Sequence, residues 1–575
     1  MTDATIRVGT AVTRIYGLPG LRASDIYANA PEPAPADWNG IRSTSANLTY
    51  LDETLPGSRW EDPQNRRMEA AAIQQLRDAR PTWVVGDYEK DFPFNVPPYD
   101  FQLAIFAQAR KMTNIALSPC APGVGKTRMI LDICADKFRR GEIDALAVVA
   151  PNMVNVQWVK EAVPTHLVSA CPRAAAVWSP TRKVPADVAK ETTPKKLRIL
   201  SFNVEAFSSE SGKAAKALAA FLDSGRVMLV IDEHHKIKNP RAARTKAVLK
   251  LREKAAVRAI LSGTPITRGV EDIYTGYAFL DPSLIGQTNY YTFRSRYCVL
   301  APSYRGAPPG AVNIVGYRNV QELLGKVAPV TFTVDKSVLG LPAKRYDTLP
   351  VALSPEQEAA YIALRDQIIA DLHAKNISSP ANAAVRFVRL QQILSGRVYS
   401  RDEDDTEIPR EIPSLRVATL VDFLKESDGE QAVIWSRFTA DIVAIAAALR
   451  AEGKTVVTYY GATPRDERTE AVRAFKAGEA SYFVGNPAAA GVGIDGLQVA
   501  ELVVFFSNSF SLEARIQAED RTHRIGTTGS VLYIDMVARV REAMTIDGLV
   551  LKNLHDKTSL ADAVYRDPAL LLGDG

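Results

Sequence analysis

The chain has 575 residues, which is too long for a single hydrophobic core, so two large domains with additional segments are expected. Hydrophobic residues make up 46% and charged residues 23% of the chain, the proportions of an ordinary soluble globular protein. The net charge of +5 permits an anionic polymer as partner without identifying one, and no apolar run approaches the roughly 20 residues of a membrane span.

The amino terminus lacks the apolar core of a signal peptide. None of the cysteines shows metal-ligand spacing; they are Cys120, Cys134, Cys171 and Cys298. Free thiols in a reducing, cytoplasmic compartment are therefore expected.

Residues 1–95 differ from the rest and predict a small accessory domain or docking arm. Residues 30–36 are rich in proline and alanine, as in a loop or tether, and residues 66–79 have helical spacing. The region carries no chemical motif, so a protein partner is its expected use.

Residues 96–282 alternate short β-rich runs with helical stretches, which predicts a doubly wound parallel sheet. Buried strands are predicted at residues 115–117, 145–149, 197–200, 227–231 and 259–261. A polar cluster follows each run, and ligands of such sheets gather at the carboxyl ends of the strands. This segment is the predicted first lobe, which binds the nucleotide.

Residues 283–412 break this alternation and predict helical insertions between two lobes, with helices at 293–298, 319–324, 355–372 and 381–393. The last of these helices carries Arg386 and Arg389, and Arg397 lies beyond it. The helix face that bears these arginines could equally well be exposed to solvent or contact phosphates. Residues 402–405 are acidic and predict an exposed loop.

Alternation resumes over residues 413–556, the predicted second lobe, and residues 557–575 form a carboxyl-terminal tail. Its predicted strands are residues 433–436, 455–459, 481–484, 502–506 and 531–534. The fold class is therefore α/β, with two doubly wound parallel-sheet lobes.

A phosphate-binding loop follows the first predicted strand. Gly123 and Gly125 allow backbone N–H groups to close on phosphates, Lys126 reaches the β and γ oxygens, and the Thr127 hydroxyl is a magnesium ligand. Cys120 stands where such loops usually have their first glycine. The predicted nucleotide site also includes two neighbouring residues, Val124 and Arg128.

Two adjacent carboxylates complete the hydrolytic site. Asp232 and Glu233 follow the apolar run 227–231, where Asp232 can hold Mg²⁺ and Glu233 can polarise the attacking water. Because the loop and the acidic pair occur in the right order, both at strand ends, we expect a nucleoside triphosphatase.

The second lobe offers a candidate arginine finger. Arg521 and Arg524 are three positions apart, hence on one face of a helix, and arginine can spread the charge of a transferring phosphoryl group. The alternative is a structural ion pair with Glu519 or Asp520.

With these motifs in view, residues 97–556 resemble the superfamily-two helicases, and within them the Swi/Snf-type double-stranded-DNA translocases. The resemblance implies that both lobes are RecA-like. The strings that carry the resemblance in the first lobe are residues 98–102, 150–158, 201–203, 232–239 and 261–266. The resemblance implies that Gln102 reads adenine, that Asn152 and Ser201 contact the nucleic-acid backbone, and that Ser262 and Thr264 couple hydrolysis to the DNA track. The histidine pair 234–235 is better explained by the Asp-Glu-x-His box than by a metal site.

In the second lobe the matching strings are residues 461–463 with Arg468, residues 490–495 and residues 517–526. The resemblance implies nucleic-acid contact at Gly461, nucleotide contact at Gly493 and Asp495, and coupling at Gln517. The last string resembles that of the DNA translocases and differs from that of the RNA helicases. The segment between the lobes resembles that of the Swi/Snf-type enzymes, nearest the annealing-helicase branch. Residues 332–336 and 486–487 depart from the family pattern.

The expected function is an ATP-dependent motor that moves along double-stranded DNA in replication, recombination, repair or transcription, with ATP and Mg²⁺ as nucleotide and cofactor. The alternatives are a strand-separating DNA or RNA helicase, and an ATP-regulated recruitment subunit of a larger complex. We expect a monomer that contacts no membrane, in a nucleoid-associated bacterial or viral context.

Overall fold

The computed structural model describes residues 92–555 apart from short internal segments, together with four short strands in the first 91 residues. The omitted internal segments are residues 153, 209–211, 264–268, 288, 303–311, 375–379, 402–406, 428–430, 491–495 and 541–542. The chain divides into two compact units, Met1–Val338 (unit 1) and Leu339–Gly575 (unit 2). The predicted inter-lobe segment, residues 283–412, is shared between these units.

The amino-terminal strands form a small mixed sheet in the order β3-β2-β1-β4. Their bounds are Thr5–Val8 (β1), Val12–Tyr16 (β2), Ile41–Arg42 (β3) and Arg59–Glu61 (β4). The proline-rich stretch 30–36 and the helix predicted at 66–79 lie outside the described residues.

A parallel sheet forms the centre of unit 1, with its strands in the order β13-β5-β10-β9-β6-β8-β7. Its strands are Asn114–Cys120 (β5), Ala145–Ala150 (β6), Arg173–Val177 (β7), Leu197–Asn203 (β8), Val227–Ile231 (β9), Val257–Leu261 (β10) and Thr331–Val334 (β13). Every residue of β6 and β9 is buried, as expected for a parallel sheet covered on both faces. A separate hairpin pairs Cys298–Pro302 (β11) with Val312–Tyr317 (β12).

The helices of unit 1 cover this sheet and include the pieces predicted after residue 283. They are Asp100–Ala109 (α1), Lys126–Arg139 (α2), Val154–Gln157 (α3), Val163–His166 (α4), Ala186–Ala189 (α5), Lys213–Leu222 (α6), Ala243–Leu251 (α7), Tyr274–Leu280 (α8), Pro282–Ile285 (α9), Tyr290–Tyr297 (α10) and Val320–Val327 (α11).

Unit 2 has a second parallel sheet in the order β14-β21-β20-β17-β19-β18. Its strands are Lys344–Val351 (β14), Ala432–Trp435 (β17), Val456–Tyr459 (β18), Tyr482–Gly485 (β19), Leu502–Phe505 (β20) and Val531–Val540 (β21). Three short strands lie outside this order: Arg397–Arg401 (β15) pairs with Glu407–Glu411 (β16), and Ala543–Met544 (β22) pairs with β21.

The helices of unit 2 complete its core. They are Pro355–His373 (α12), Pro380–Leu394 (α13), Arg416–Glu426 (α14), Thr439–Ala451 (α15), Arg465–Lys476 (α16), Pro487–Ala490 (α17), Leu512–Thr522 (α18) and Ile546–His555 (α19). Two parallel-sheet α/β lobes are therefore present, and the predicted fold class is confirmed.

Three strands of these sheets are absent from the sequence prediction, each for a physical reason. β7 is largely alanine, a residue of low strand propensity, and β13 lies within the segment 283–412 that was predicted to consist of helical insertions. β14 is an edge strand with mostly exposed residues and a proline, so it lacks the apolar run of a buried strand. Sequence reasoning therefore found the centres of both sheets and the edge strand β18, and missed the other three edge strands.

Two features bear on the setting of the protein. Within the described part of the chain, none of the helices combines the length and apolar character that crossing a bilayer requires. All four cysteines are buried as free thiols.

Candidate active site

The phosphate loop joins the end of β5 to the start of α2. Gly123 and Gly125 have φ angles of 84° and 86°, in the left-handed region that glycine adopts without strain. A side chain at Gly125 would also place its Cβ 2.6 Å from Nε2 of Gln102. Glycine is therefore required at residue 125 both by backbone conformation and by the close approach of α1.

Gln102, the proposed adenine reader, is buried against this loop. Its Nε2 donates a hydrogen bond to the carbonyl of Val124 at 2.9 Å, and its Oε1 accepts one from the backbone N–H of Tyr99 at 3.1 Å. The side chain thus ties the start of α1 to the phosphate loop.

Lys126 lies over the loop, as phosphate binding requires. Its Nζ donates to the carbonyls of Cys120 at 2.9 Å and Ala121 at 3.4 Å. Thr127 follows in the first turn of α2, a 14-residue helix whose amino-terminal N–H groups favour anions. The residues present therefore fit a nucleotide polyphosphate.

Cys120 and Arg128 flank the loop and serve its packing. The Cys120 thiol donates to the carbonyl of Phe332 at 3.1 Å, and burial raises its pKa to about 12, so the thiol stays neutral. The Arg128 guanidinium donates to the carbonyls of Pro97 at 3.0 Å and Val96. Cys120 thus joins the loop to β13, and Arg128 joins it to the segment before α1.

Asp232 immediately follows β9, and its carboxylate accepts two hydrogen bonds. The backbone N–H of Glu233 donates to Oδ1 at 2.9 Å, and Trp158 Nε1 donates to Oδ2 at 2.8 Å. Burial, together with the neighbouring charge of Glu233, raises the pKa of Asp232 to about 6. Each carboxylate oxygen keeps a second lone pair for a cation, so the residue fits the role of a magnesium ligand.

Glu233 is the residue at which the chain turns away from the sheet, with φ 49° and ψ 58° in the left-handed region. Its Oε2 accepts a hydrogen bond from the Ser262 hydroxyl at 3.3 Å and lies 3.2 Å from Nδ1 of His235. Two neighbours therefore orient this carboxylate.

Ser262 contacts both halves of the site. Its hydroxyl reaches Glu233, while its backbone carbonyl accepts from the N–H of Cys120, the first residue of the loop, at 3.0 Å. The other predicted coupling residue of this string, Thr264, lies outside the described residues.

His234 is a structural residue of the box. Its Nε2 shares a 2.9 Å hydrogen bond with the Ser118 hydroxyl on β5, and Gly276 leaves room for its ring, since a Cβ there would lie 2.7 Å from Nδ1. Burial, with a contribution from His235, lowers the pKa of His234 to about 3, so the ring is neutral. Sequence reasoning missed Ser118 and Gly276 because neither belongs to a motif.

The predicted nucleic-acid residues have different surroundings. Asn152, just beyond β6, and Gly461, just beyond β18, are exposed. Arg468 donates to the carbonyls of Gly461 at 2.7 Å and Thr463 at 2.8 Å and so supports that turn. Ser201 lies inside β8 with no exposed surface, because the strand extends to Asn203; it cannot contact DNA there, and we remove it from the candidate contacts.

The arginine-bearing string of unit 2 begins on α18. Gln517 and Arg521 lie on this helix, which ends at Thr522, so Arg524 lies in the turn after it. The prediction that both arginines lie on one face of a helix is therefore wrong. Glu519, one alternative ion-pair partner for the arginines, is instead held by Lys344, Tyr346 and Arg515. Gly493 and Asp495 lie outside the described residues.

The arginines near α13 have partners within unit 2. Arg386 pairs with Asp371, Arg397 pairs with Asp441, and the Arg389 guanidinium lies 3.8 Å from the centre of the Tyr399 ring. These contacts favour a structural role over a phosphate-contacting face.

Family models of known proteins match residues in both units. A family model described as SNF2-related domain matches residues 119–402, and one described as Helicase conserved C-terminal domain matches residues 415–526. The two models follow one another along the chain in the order of the motifs described above.

Individual relatives are distant. The chain is 28% identical over 516 residues to the SWI/SNF-related matrix-associated actin-dependent regulator of chromatin subfamily A-like protein 1 of Xenopus tropicalis, covering 86% of this chain and 49% of that protein. It is 22% identical over 490 residues to the uncharacterized ATP-dependent helicase YqhH of Bacillus subtilis, covering 81% of this chain and 79% of that protein. A solved Sulfolobus solfataricus SWI2/SNF2 ATPase core in complex with dsDNA aligns with a TM-score of 0.37 and 21% identity, covering 84% of this chain and 96% of that one.

The chain thus spans about half the length of the Xenopus relative. The resemblance read from the motifs is confirmed by the two family models. The chain belongs to the Swi/Snf-type ATPases of helicase superfamily two.

Proposed function

We propose that the chain is a DNA-dependent ATPase that converts ATP hydrolysis into movement along double-stranded DNA. The observation that carries this proposal is the convergence in unit 1 of a phosphate loop and an acidic pair, with Ser262 bonded to both. Family membership supports duplex DNA as the track.

In this proposal the loop holds the triphosphate. Backbone N–H groups from Gly123 to Thr127 and the Lys126 ammonium bind the phosphates, while Gln102 reads the adenine edge. Thr127 and Asp232 hold Mg²⁺, which neutralises phosphate charge when bound. Val124 positions Gln102 through its carbonyl, and Arg128 acts from outside by fastening the loop to residues 96–97.

Hydrolysis then depends on Glu233, which orients the attacking water. The contacts of this carboxylate with Ser262 and His235 fix its orientation. Because Ser262 and Thr264 belong to the same string, water activation is linked to that segment. From unit 2, Arg521 and Arg524 stabilise the charge that develops on the γ-phosphate. Further contributions from unit 2 are proposed for Gln517, Gly493 and Asp495.

The DNA contacts are proposed at exposed loops of both units. Asn152 and Gly461 follow the carboxyl ends of parallel strands, where ligands of such sheets gather. Contacts to phosphates and backbone carry little sequence information and weaken as salt rises. Cycles of ATP binding and hydrolysis then change the grip of the two units and advance the protein.

The experiment compares ATP turnover with duplex DNA, single-stranded DNA and RNA at several salt concentrations. Duplex DNA should stimulate most, with little dependence on base sequence and a steep fall with salt. Displacement of a triplex-forming strand should report movement along duplex, and a forked duplex with a fluorescent strand should stay paired.

Other results would favour the alternatives. Unwinding of the fork without triplex displacement, or equal stimulation by single-stranded RNA, would indicate a strand-separating helicase. ATP binding without turnover under any nucleic acid would indicate a recruitment subunit.

The cellular setting is also part of the proposal. We propose a cytoplasmic location and a bacterial or viral context, of which the Bacillus relative supports the bacterial one. Residues 1–95 are the proposed docking region for a protein partner. Size-exclusion chromatography with light scattering should show a monomer.

A further inference from the structure

The first sheet strand of unit 2 contacts the arginine-bearing segment directly. β14 begins soon after the boundary at Val338, and its Lys344 Nζ donates to Oε2 of Glu519 on α18 at 2.7 Å. The Tyr346 hydroxyl donates to the same oxygen at 2.8 Å. Just before β14, the Pro342 carbonyl accepts a 2.7 Å hydrogen bond from Nε2 of His523.

Glu519 is also held from the opposite side. Its Oε1 accepts from Nε of Arg515 at 2.7 Å, and Arg515 in turn donates to Oδ2 of Asp535 at 3.0 Å. Asp535 lies on β21, where it is paired with Thr348 of β14. The contacts therefore form a closed path from β14 through α18 to β21 and back to β14.

The charges in this path are mostly shielded from solvent. The side chains of Lys344, Glu519 and Arg515 are 22%, 10% and 7% exposed. Burial opposes ionisation of Glu519, but Lys344 and Arg515 outweigh it and lower its pKa. An ion pair in such surroundings is weakly screened by salt, and removing one partner leaves the other uncompensated. The network should therefore hold the last turn of α18 firmly.

That turn is where the proposed arginine finger begins. Arg521 lies on it, and His523, bonded to Pro342, lies between Arg521 and Arg524 in the sequence. The contact points of β14 thus fall on the same turn and on the residue between the two arginines.

We propose that Pro342, Lys344 and Tyr346 form a strand clamp that positions Arg521 and Arg524 relative to the point where the chain passes into unit 2. The inference rests on the proposed function of the arginines. Lys344 and Tyr346 are positioning residues, since they act through Glu519. Any displacement of the chain at the boundary is then transmitted to the arginines by direct contacts.

The test is a double-mutant cycle on ATP turnover with saturating duplex DNA. Lys344→Met and Tyr346→Phe are each measured alone and in a background in which Arg521 and Arg524 are both replaced by alanine. Each single substitution should lower kcat by roughly 10- to 100-fold, because small misplacements of a reacting group cost about that much, and should leave KM for ATP nearly unchanged. In the background that lacks both arginines neither substitution should lower kcat further, because the groups that they position are gone.

Two variants separate positioning from folding. Tyr346 is 57% exposed and its ring stacks on that of Tyr533 with 5.3 Å between the ring centres, so Tyr346→Phe removes only the hydroxyl and should fold. If Lys344→Met fails to fold, Tyr346→Phe still tests whether the clamp positions the arginines. Lys344→Arg keeps the charge and should recover most of the lost kcat. The matched control is Arg410→Met, which breaks an exposed ion pair with Glu356 elsewhere in unit 2 and should keep the parental kcat.

The outcomes distinguish the clamp from the arginine assignment. If the variant that lacks both arginines retains the parental kcat, neither arginine has a catalytic role, and both the arginine assignment and the clamp are wrong. If that variant has a lower kcat but Tyr346→Phe and Lys344→Met do not, or if their losses multiply with the loss caused by removing both arginines, only the clamp is overturned.

Discussion

Lys126 and Glu233 contact the same nucleotide in the proposed reaction but act at different stages, so their loss should have different signatures. Lys126→Ala removes a phosphate contact and should weaken ATP binding as well as turnover. Glu233→Gln keeps the size of the side chain but loses the group that orients water, so ATP should bind without being hydrolysed. Fluorescent-nucleotide binding and steady-state ATPase assays measure the two effects. Parental turnover by Glu233→Gln would show that the acidic pair is wrongly assigned.

Trp158 offers a second test at the acidic pair. Its Nε1 is one of the two donors to Asp232 found in the structure. Trp158→Phe should keep most of the packing but leave Oδ2 less well oriented. Loss of such a supporting contact to a metal ligand typically costs about 10- to 100-fold in metal affinity, so the Mg²⁺ concentration for half-maximal ATPase should rise by that order.

The control for this prediction is Trp178→Phe, which removes an indole that stacks on Phe202 in the same unit. Its Mg²⁺ requirement should equal that of the parent. An unchanged requirement in Trp158→Phe would mean that Asp232 holds its orientation without the indole.

At this scale the sequence predicts motif residues well and their partners poorly. Lys126 and Asp232 stand out because their chemistry recurs at a fixed spacing within a local string. The Trp158–Asp232 and His234–Ser118 hydrogen bonds join residues 74 and 116 positions apart, and only the strand order brings them together. Ser201 was misplaced because the predicted strand stopped at residue 200, whereas β8 extends to Asn203.

Among the elements of unit 1, Asp144 joins the amino ends of three adjacent strands. It precedes β6, and its carboxylate accepts from Lys195 before β8 at 2.6 Å and from the backbone N–H of Arg226 before β9 at 2.9 Å. Burial opposes its charge, but hydrogen bonds from Arg226 and Lys195 outweigh burial and hold the pKa of Asp144 well below its usual value.

A depressed carboxyl pKa stabilises the fold above the unfolded-state value of about 3.9 and loses that contribution as pH falls below it. Asp144→Asn should therefore lower the free energy of unfolding by roughly 2 kcal/mol at pH 7 and pH 5. The difference in the free energy of unfolding between the parent and Asp144→Asn should become smaller only below about pH 4. Urea unfolding at pH 7, 5 and 3.5 measures it.

Asp223→Asn is the matched control, because its ion pair with Lys254 is exposed and should contribute little. If the difference in the free energy of unfolding between the parent and Asp144→Asn became larger on acidification, the direction assigned to the pKa shift would be wrong.

Element prediction succeeded where burial leaves a compositional signal. The run 227–231 coincides with β9, and the helix predicted at 355–372 is one residue shorter than α12. The β15–β16 hairpin escaped prediction because neither of its strands has a continuous apolar run. β11 escaped because its apolar residues directly follow a helix that ends at Tyr297, without an intervening turn signal.

For the whole molecule, the described contacts indicate how far the amino terminus can be truncated without loss of folding. Phe92 is buried and its ring lies 4.8 Å from that of Phe106 on α1, and Arg128 bonds the carbonyls of Val96 and Pro97. Deleting residues 1–90 should therefore leave a folded, DNA-stimulated ATPase, as all the motifs lie beyond residue 97. Circular dichroism and ATPase assays check this.

A cut at residue 98 is the informative comparison, because it removes Phe92 and both carbonyl partners of Arg128. This shorter chain should be unstable or bind ATP weakly. If deletion of residues 1–90 already abolished solubility or ATP turnover, the amino-terminal region would belong to unit 1 as a structural part.

At this scale the two lobes were predictable and their boundary was less so. Alternating strands and helices signal each lobe, but the helices after residue 283 look alike in sequence on both sides of Val338. Their assignment to one unit or the other depends on long-range packing, as with α11 in unit 1 and α12 in unit 2.

Because all four cysteines are buried, the native chain should react little with thiol-reactive dyes. A cysteine introduced at an exposed position of each unit, such as Lys246→Cys on α7 and Ala451→Cys on α15, would then carry the only accessible labels. Fluorescence energy transfer between the two dyes could follow the rearrangement of the units during each ATP cycle, with every native cysteine left in place.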